Sequence, residues 1–218
     1  NLLDASAPNP SVETLLHAFL PHKFVDHTHA NAVLALTDQD SGDDLCREVF
    51  GSRMGYVPYI MPGFALARKA KAVFEADPDV EGLILLKHGI FTFGETARDA
   101  YDRMIEMVTL AEKTIAAKRI RSLVSVKLPG KIASIAAIAP ILRGLCAEQT
   151  GDDYRRLVMD FRTGDAIRTF VDGEQLARYG QQGMVTPDHV IRTKPKPLIV
   201  QPPQAGGLEA FRAGAAAA

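Results

Sequence analysis

The chain has 218 residues, of which 47% are hydrophobic and 23% charged, with a formal net charge of −1. That length and composition suit one or two globular domains with a substantial core. The near-neutral balance carries no electrostatic footprint for nucleic acid or an anionic membrane surface, and no apolar run approaches the ~20 residues needed to span a bilayer. The N-terminus shows no basic-then-apolar signal pattern, so a cytoplasmic location is the default expectation. Cys46 and Cys146 sit in helix-like patterns and read as buried, reduced thiols. Asn1 opens in polar text without an initiator Met and the last four residues are Ala, as expected of a fragment of something longer.

Asn9-Pro10 reads as a helix start, with Asn as N-cap and Pro in the first position, and Leu15, Leu16, Phe19 and Leu20 form its apolar side up to Pro21. Phe24 to His29 reads as a strand, Ala30 to Thr37 and Asp43 to Phe50 as short helices, and Gly55 to Tyr59 as a strand stopped by Pro62-Gly63. Phe64 to Ala76 is helical, Gly82 to Leu86 is a buried-type strand, and Thr96 to about Ile120 is the longest helix. The character changes near Leu123. Ile132 to Gln149 reads as a helix, Leu157 to Phe161 as a strand, Asp165 to Val171 as a helix, and Gly183 to Pro197 as a Pro/Lys-rich loop. Alternating strands and helices point to a sheet covered by helices.

His27-Thr28-His29 carries the chemistry. Residues i and i+2 of a strand share a face, so His27 and His29 offer two imidazoles to one point while Thr28 turns away. Such a pair chelates a divalent metal; alone, it also describes two half-exposed histidines at a strand end. A third candidate, His88, ends the strand Leu83 to Leu86 and is followed by Gly89, which is expected to leave space beside its ring. Glu13 lies upstream on a helix as an acid/base, or else as a first-turn carboxylate favoured by the helix dipole. Partial burial is expected to raise its pKa toward neutrality. Three histidines and a carboxylate make a catalytic zinc site with room for substrate, another divalent metal being the alternative. Tyr56 and Tyr59 flank Val57-Pro58 near a turn and read either as packing residues or as phenols at the site; Tyr59 is retained as the catalytic candidate.

Ser11-Val12-Glu13, Val25-Asp26-His27-Thr28-His29-Ala30 and Lys87-His88-Gly89 resemble the class II aldolase/adducin family, which uses a Glu, a His-x-His and a later His-Gly in this order. Pro21 to Ala30 and Thr186 to Thr193 resemble one branch of it, in which the aldolase half precedes a short-chain dehydrogenase half and the substrate is rhamnulose 1-phosphate. The resemblance implies a three-layer α/β/α fold with a mostly antiparallel central sheet. It also implies zinc held by His27, His29 and His88, Glu13 as acid/base, a Tyr proton donor often from a neighbouring subunit, and a homotetramer. The implied reaction is reversible cleavage of a ketose phosphate to a dihydroxyacetone-phosphate-type ketone and an aldehyde. The alternatives are an epimerase on the same fold and a non-catalytic adducin-like interaction module. A cupin is disfavoured by the many helix-like segments. No Gly-x-Gly-x-x-Gly follows a strand, so no nicotinamide site is expected, and the family's upstream phosphate-binding segments are not in this sequence. The expected organisation is an aldolase-like domain over 1–122 lacking its N-terminal part, an extension over 123–200 packed on it, and a flexible tail over 201–218.

Overall fold

Short, largely buried runs build a four-stranded sheet from β1 (Phe24–Thr28), β2 (Met54–Val57), β3 (Gly82–Leu85) and β4 (Gly89–Gly94), in the order β1-β4-β3-β2. The β1/β4 and β3/β4 pairings are antiparallel, and β2 runs parallel to β3. The structure is a computed structural model that describes residues 3–118, 123–128 and 130–218. The expected boundary at residue 122, and the expected helix end near Ile120, lie outside the described residues.

The two-residue period sorts the side chains into two cores. On one face Leu83, Leu85, Phe91 and Phe93 pack with Leu16 of α1 (Thr14–Phe19) and with Leu66, Ala67, Ala70 and Phe74 of α4 (Phe64–Ala76). On the other, Met54, Ile84 and Ile90 meet α2 (Asn31–Thr37), α3 (Gly42–Phe50) and α5 (Ala97–Ala117) through Val33, Cys46, Phe50, Met104 and Met107. Helices on both faces of a mostly antiparallel sheet make three layers, α/β/α.

Several local expectations fail for identifiable reasons. The first helix begins at Thr14, not Pro10: the Glu13 amide donates to Ser11 Oγ (3.1 Å) and the Thr14 amide to the Ser11 carbonyl, a local turn that competes with helix. The central strand β4 was not anticipated at all. Leu157 to Phe161 makes no ladder; β5 (Glu148–Thr150) and β6 (Asp153–Arg155) pair instead around Gly151-Asp152, with Gly151 at φ +62°.

The chain folds as two units, Asn1–Ile120 with Met184–Thr193, and Arg121–Gly183 with Lys194–Ala218. The second unit holds α6 (Ile135–Leu145), the β5/β6 hairpin, α7 (Asp165–Val171) and α8 (Leu176–Tyr179). The segment returned to the first unit carries α9 (Pro187–Arg192), where a loop was expected. Within the expected flexible tail, Leu208–Ala217 forms α10, whose Phe211 is buried, so an apolar anchor holds a stretch that otherwise reads as small residues. Cys46 is buried as expected, whereas Cys146, at the end of α6, is exposed. Among the described residues no helix is long and apolar enough to cross a membrane.

Candidate functional site

The sheet register assembles a side-chain cluster at one end of the first unit. Pairing of β1 with β4 sets His27 opposite Phe91, and the two rings stack with centroids 4.1 Å apart. Thr28 faces the other way, its hydroxyl donating to Met104 Sδ at 3.2 Å. His29 lies just past β1 and returns to the His27 side. The tight β3–β4 turn delivers His88: its amide donates to the Leu85 carbonyl (3.0 Å), and Lys87 accepts φ +60° to make the turn. Glu13 reaches in from the N-terminal boundary of α1.

The four side chains converge. Glu13 Oε1 lies 2.9 Å from His88 Nε2, 3.3 Å from His27 Nε2 and 3.7 Å from His29 Nε2. The Nε2 atoms of His27 and His29 are 3.1 Å apart, and one ligand atom from each of the four residues lies within 4.8 Å of all the others. His88 is almost fully buried, and burial pushes its pKa down. Glu13, contrary to the expected elevation, is held down to about 2, first by the hydrogen bond that His27 can donate from Nε2 when its ring is charged, which outweighs the desolvation that burial imposes.

Hydrogen bonding tests whether these residues suit a metal. His27 Nδ1 lies 2.9 Å from the Ile90 carbonyl oxygen, which only accepts, so Nδ1 carries the proton. His29 Nδ1 lies 2.9 Å from Asp188 Oδ2, again an acceptor when ionised. In their neutral forms both rings therefore turn an Nε2 lone pair toward the other across 3.1 Å. Tetrahedral zinc with Zn–N bonds of about 2.0–2.1 Å would separate two such nitrogens by about 3.3 Å, and its charge would satisfy both lone pairs. The donor set fits a divalent cation. The His88 Nδ1 is buried and has no hydrogen-bond partner among the described residues.

The family model described as Class II Aldolase and Adducin N-terminal domain matches residues 1–115, more than half of the chain. The chain belongs to the class II aldolase/adducin family. A second model, Aldolase class II, second domain, matches residues 133–218. The chain is 32% identical over 209 residues to "Uncharacterized oxidoreductase YuxG" of Bacillus subtilis (strain 168), an alignment covering 91% of this chain and 29% of that protein. Among solved structures it is similar to the N-terminal class II aldolase domain of a conserved protein from Thermoplasma acidophilum, at 46% identity, 51% of each chain and a TM-score of 0.47. It is also similar to a sugar-phosphate aldolase from Thermotoga maritima, at 20% identity, 52% of this chain, 58% of that one and a TM-score of 0.43. The chain thus spans less than a third of the curated relative's length and about half of these solved chains.

In this class II aldolase family chain, Glu13, His27, His29 and His88 are brought together, and Tyr59 makes no hydrogen bond to any of them. Tyr59 is 52% exposed beyond β2, and among the described residues none hydrogen-bonds its phenol. Tyr56 packs instead: its hydroxyl donates to the Gly51 carbonyl (2.7 Å), the Arg47 guanidinium lies over its ring, and burial pushes the phenol up to about 12. Gly89 also governs how closely β1 approaches. A Cβ there would meet the Thr28 carbonyl oxygen at 2.4 Å, His27 Cε1 at 3.1 Å and His29 Cδ2 at 3.2 Å, so the missing side chain lets β1 and its histidines close in. Asp188, in the stretch that reads from sequence as a Pro/Lys-rich loop, meets the cluster through His29. The Thr186-Pro187 pair before it, an N-cap followed by a Pro suited to the first helical turn, was the available signal for an ordered segment.

Proposed function

We propose that this chain is a zinc-dependent class II aldolase that reversibly cleaves a ketose phosphate of the rhamnulose 1-phosphate kind into a dihydroxyacetone-phosphate-type ketone and an aldehyde. The observation that carries the reading is the convergence of Glu13 Oε1 with the Nε2 atoms of His27, His29 and His88. Those three imidazoles would hold the metal as neutral ligands, leaving its full charge to act on substrate. A bound zinc would supply Lewis-acid stabilisation of the negative charge that develops on the ketone half.

In the cleavage direction the C4 hydroxyl loses its proton as the C3–C4 bond breaks to an aldehyde, and C3 of the ketone half gains a proton. Glu13, anionic at neutral pH, accepts the hydroxyl proton and, holding it, delivers it to C3. The Phe91 ring beneath His27 supports an orientation that excludes water from one side of the site. Tyr59 lies in a segment that also exposes Met61 and Phe64, apolar side chains suited to self-association. From there it would offer its phenol to the C4 oxygen in the site of a neighbouring subunit.

Elemental analysis of the purified protein, paired with enzymatic detection of the ketone phosphate and aldehyde, tests the proposal. Wild type should hold a stoichiometric divalent metal and release both products. His27→Ala should lose the metal. Glu13→Gln should keep it while cleavage falls by roughly 10²-fold or more, the usual weight of a positioned acid/base. Metal-free wild type after zinc supplementation, or formation of an epimer without carbonyl products, would overturn it.

A further inference from the structure

Two of the four converging residues have their outward nitrogen fixed, and by different means. His27 belongs to β1, and its Nδ1 proton goes to a carbonyl of the adjacent strand, Ile90, so the sheet itself sets that ring. His29 lies beyond the last paired residue of β1, where no ladder holds it. Its Nδ1 meets Asp188 Oδ2 at 2.9 Å, and Asp188 is 159 residues downstream.

The downstream segment is built for the purpose. Met184–Thr193 belongs to the first unit, although the residues on both sides of it belong to the second. Thr186 is buried and caps α9, its hydroxyl accepting from the His189 amide, and Pro187 occupies the first turn. Asp188 follows directly, so its carboxylate leaves a backbone pinned by the cap and by the fixed φ of proline. No other described group hydrogen-bonds to His29 Nδ1.

We propose that Asp188 is a positioning residue for the metal centre, holding His29 in the Nδ1-protonated tautomer with its Nε2 lone pair aimed at the point where the other ligands converge. The inference rests on the metal reading above and extends it to a residue outside the Glu, His-x-His and His-Gly pattern. A carboxylate on the outer nitrogen of a ligating imidazole fixes the ring and raises its basicity, and loss of such a partner weakens metal binding by roughly 10–100-fold. An amide keeps an accepting oxygen in the same place but removes the charge, so Asn should preserve the tautomer and lose only part of the affinity.

The test compares wild type, Asp188→Ala and Asp188→Asn in two measurements. Zinc affinity is read by competition with a chromogenic chelator. Histidine tautomers in the metal-free proteins are read from two-bond 1H–15N correlations of the imidazoles. The expected result is a roughly 10–100-fold weaker zinc Kd for the Ala variant and a loss smaller than ~10-fold for the Asn variant. His29 should be Nδ1-protonated in wild type and the Asn variant and shift toward the Nε2-protonated form in the Ala variant, while His27 stays Nδ1-protonated in all three. A purely structural role would not move one histidine's tautomer and leave the other's alone. An Ala variant with wild-type affinity and an unchanged His29 tautomer would overturn the inference alone. A wild-type chain that binds no zinc would overturn the metal reading and the inference with it.

Discussion

Gly89→Ala adds one methyl group at the place where the sheet and the histidine cluster meet. The new Cβ would stand 2.4 Å from the Thr28 carbonyl oxygen. Relaxed carbon–oxygen contacts between strands begin at about 3.3 Å, so the ends of β1 and β4 must part by about 0.9 Å. The obstacle is backbone, not the tip of a mobile side chain, so no rotamer change relieves it. His27 Cε1 and His29 Cδ2, at 3.1 and 3.2 Å, are pushed by the same atom. Methylenes forced into a packed site cost about 1–3 kcal/mol. For a chain of this size each kcal/mol is worth roughly 2–4 °C in Tm, and a drop of about 2–12 °C is expected. A ligand set needs its geometry held to about 0.5 Å, so the same movement should weaken zinc binding, by at least about tenfold on the scale of lost ligand positioning.

Thermal unfolding of the metal-free protein reads the first effect and chelator competition the second. Gly144→Ala is the control: it lies inside α6 with nothing within 4 Å of the added Cβ. Removing a helical glycine there should be neutral or stabilising by about 0.5–1 kcal/mol. A Gly89→Ala protein with the Tm and zinc affinity of wild type would refute the close-approach reasoning. One that is destabilised but keeps full affinity would show that the spacing of β1 and β4 does not set the donor geometry.

Lys87→Gly should stabilise the protein by about 0.5–1 kcal/mol in chemical denaturation, because a left-handed non-glycine costs about 1–2 kcal/mol, partly offset by the extra chain entropy of glycine. Lys87 holds φ +60° in the β3–β4 turn, so loss of stability in that variant would mean that its side chain contributes more than the strain. Arg53 donates to both Glu81 and Glu106 at 2.7–2.8 Å and lowers both carboxyl pKa values from 4.5. A depressed carboxylate contributes stability above its unfolded pKa and loses it as pH falls through the folded value. Arg53→Met should therefore lose about 1 kcal/mol, limited by solvent screening, at pH 7 and progressively less below pH ~4.5 in denaturation curves. A loss that persists undiminished in acid would assign the effect to packing of the arginine stem instead.

Most helices of the first unit were legible because each buries one stripe. The apolar spacing of Phe64 to Ala76 gives α4 to the residue, and the stripe through Ala100, Met104, Met107 and Ala111 gives α5. The central strand was not legible, for a local reason. Gly89-Ile90-Phe91-Thr92-Phe93-Gly94 has glycines at both ends, which read as turns, and is buried along its whole length, so no polar face marks the two-residue period. Gly94 is required because Ala100 N would lie 2.5 Å from a Cβ there, a tertiary contact invisible in the local sequence. The helix expected from Asn9-Pro10 shows the reverse error: the start signal was present, but the turn around Ser11 delayed the helix to Thr14.

The cluster itself divides along the same line. His27 and His29 share a side because a strand alternates, and that much is a one-dimensional fact about positions i and i+2. Their joining to His88 depends on β4 pairing with both β1 and β3, which no spacing in the sequence expresses. Asp188 is harder still, since a carboxylate in a polar segment carries no periodic signal and gains meaning only from the ring it faces. What could be read was the frame that presents it. Thr186-Pro187 is the same kind of cap as Asn9-Pro10, and here it does start a helix, with a buried Thr186 to anchor it. A capped, anchored turn in a stretch rich in Pro and Lys has a reason to be ordered, and the hydrogen bond from His29 to Asp188 ties that turn to the histidine cluster.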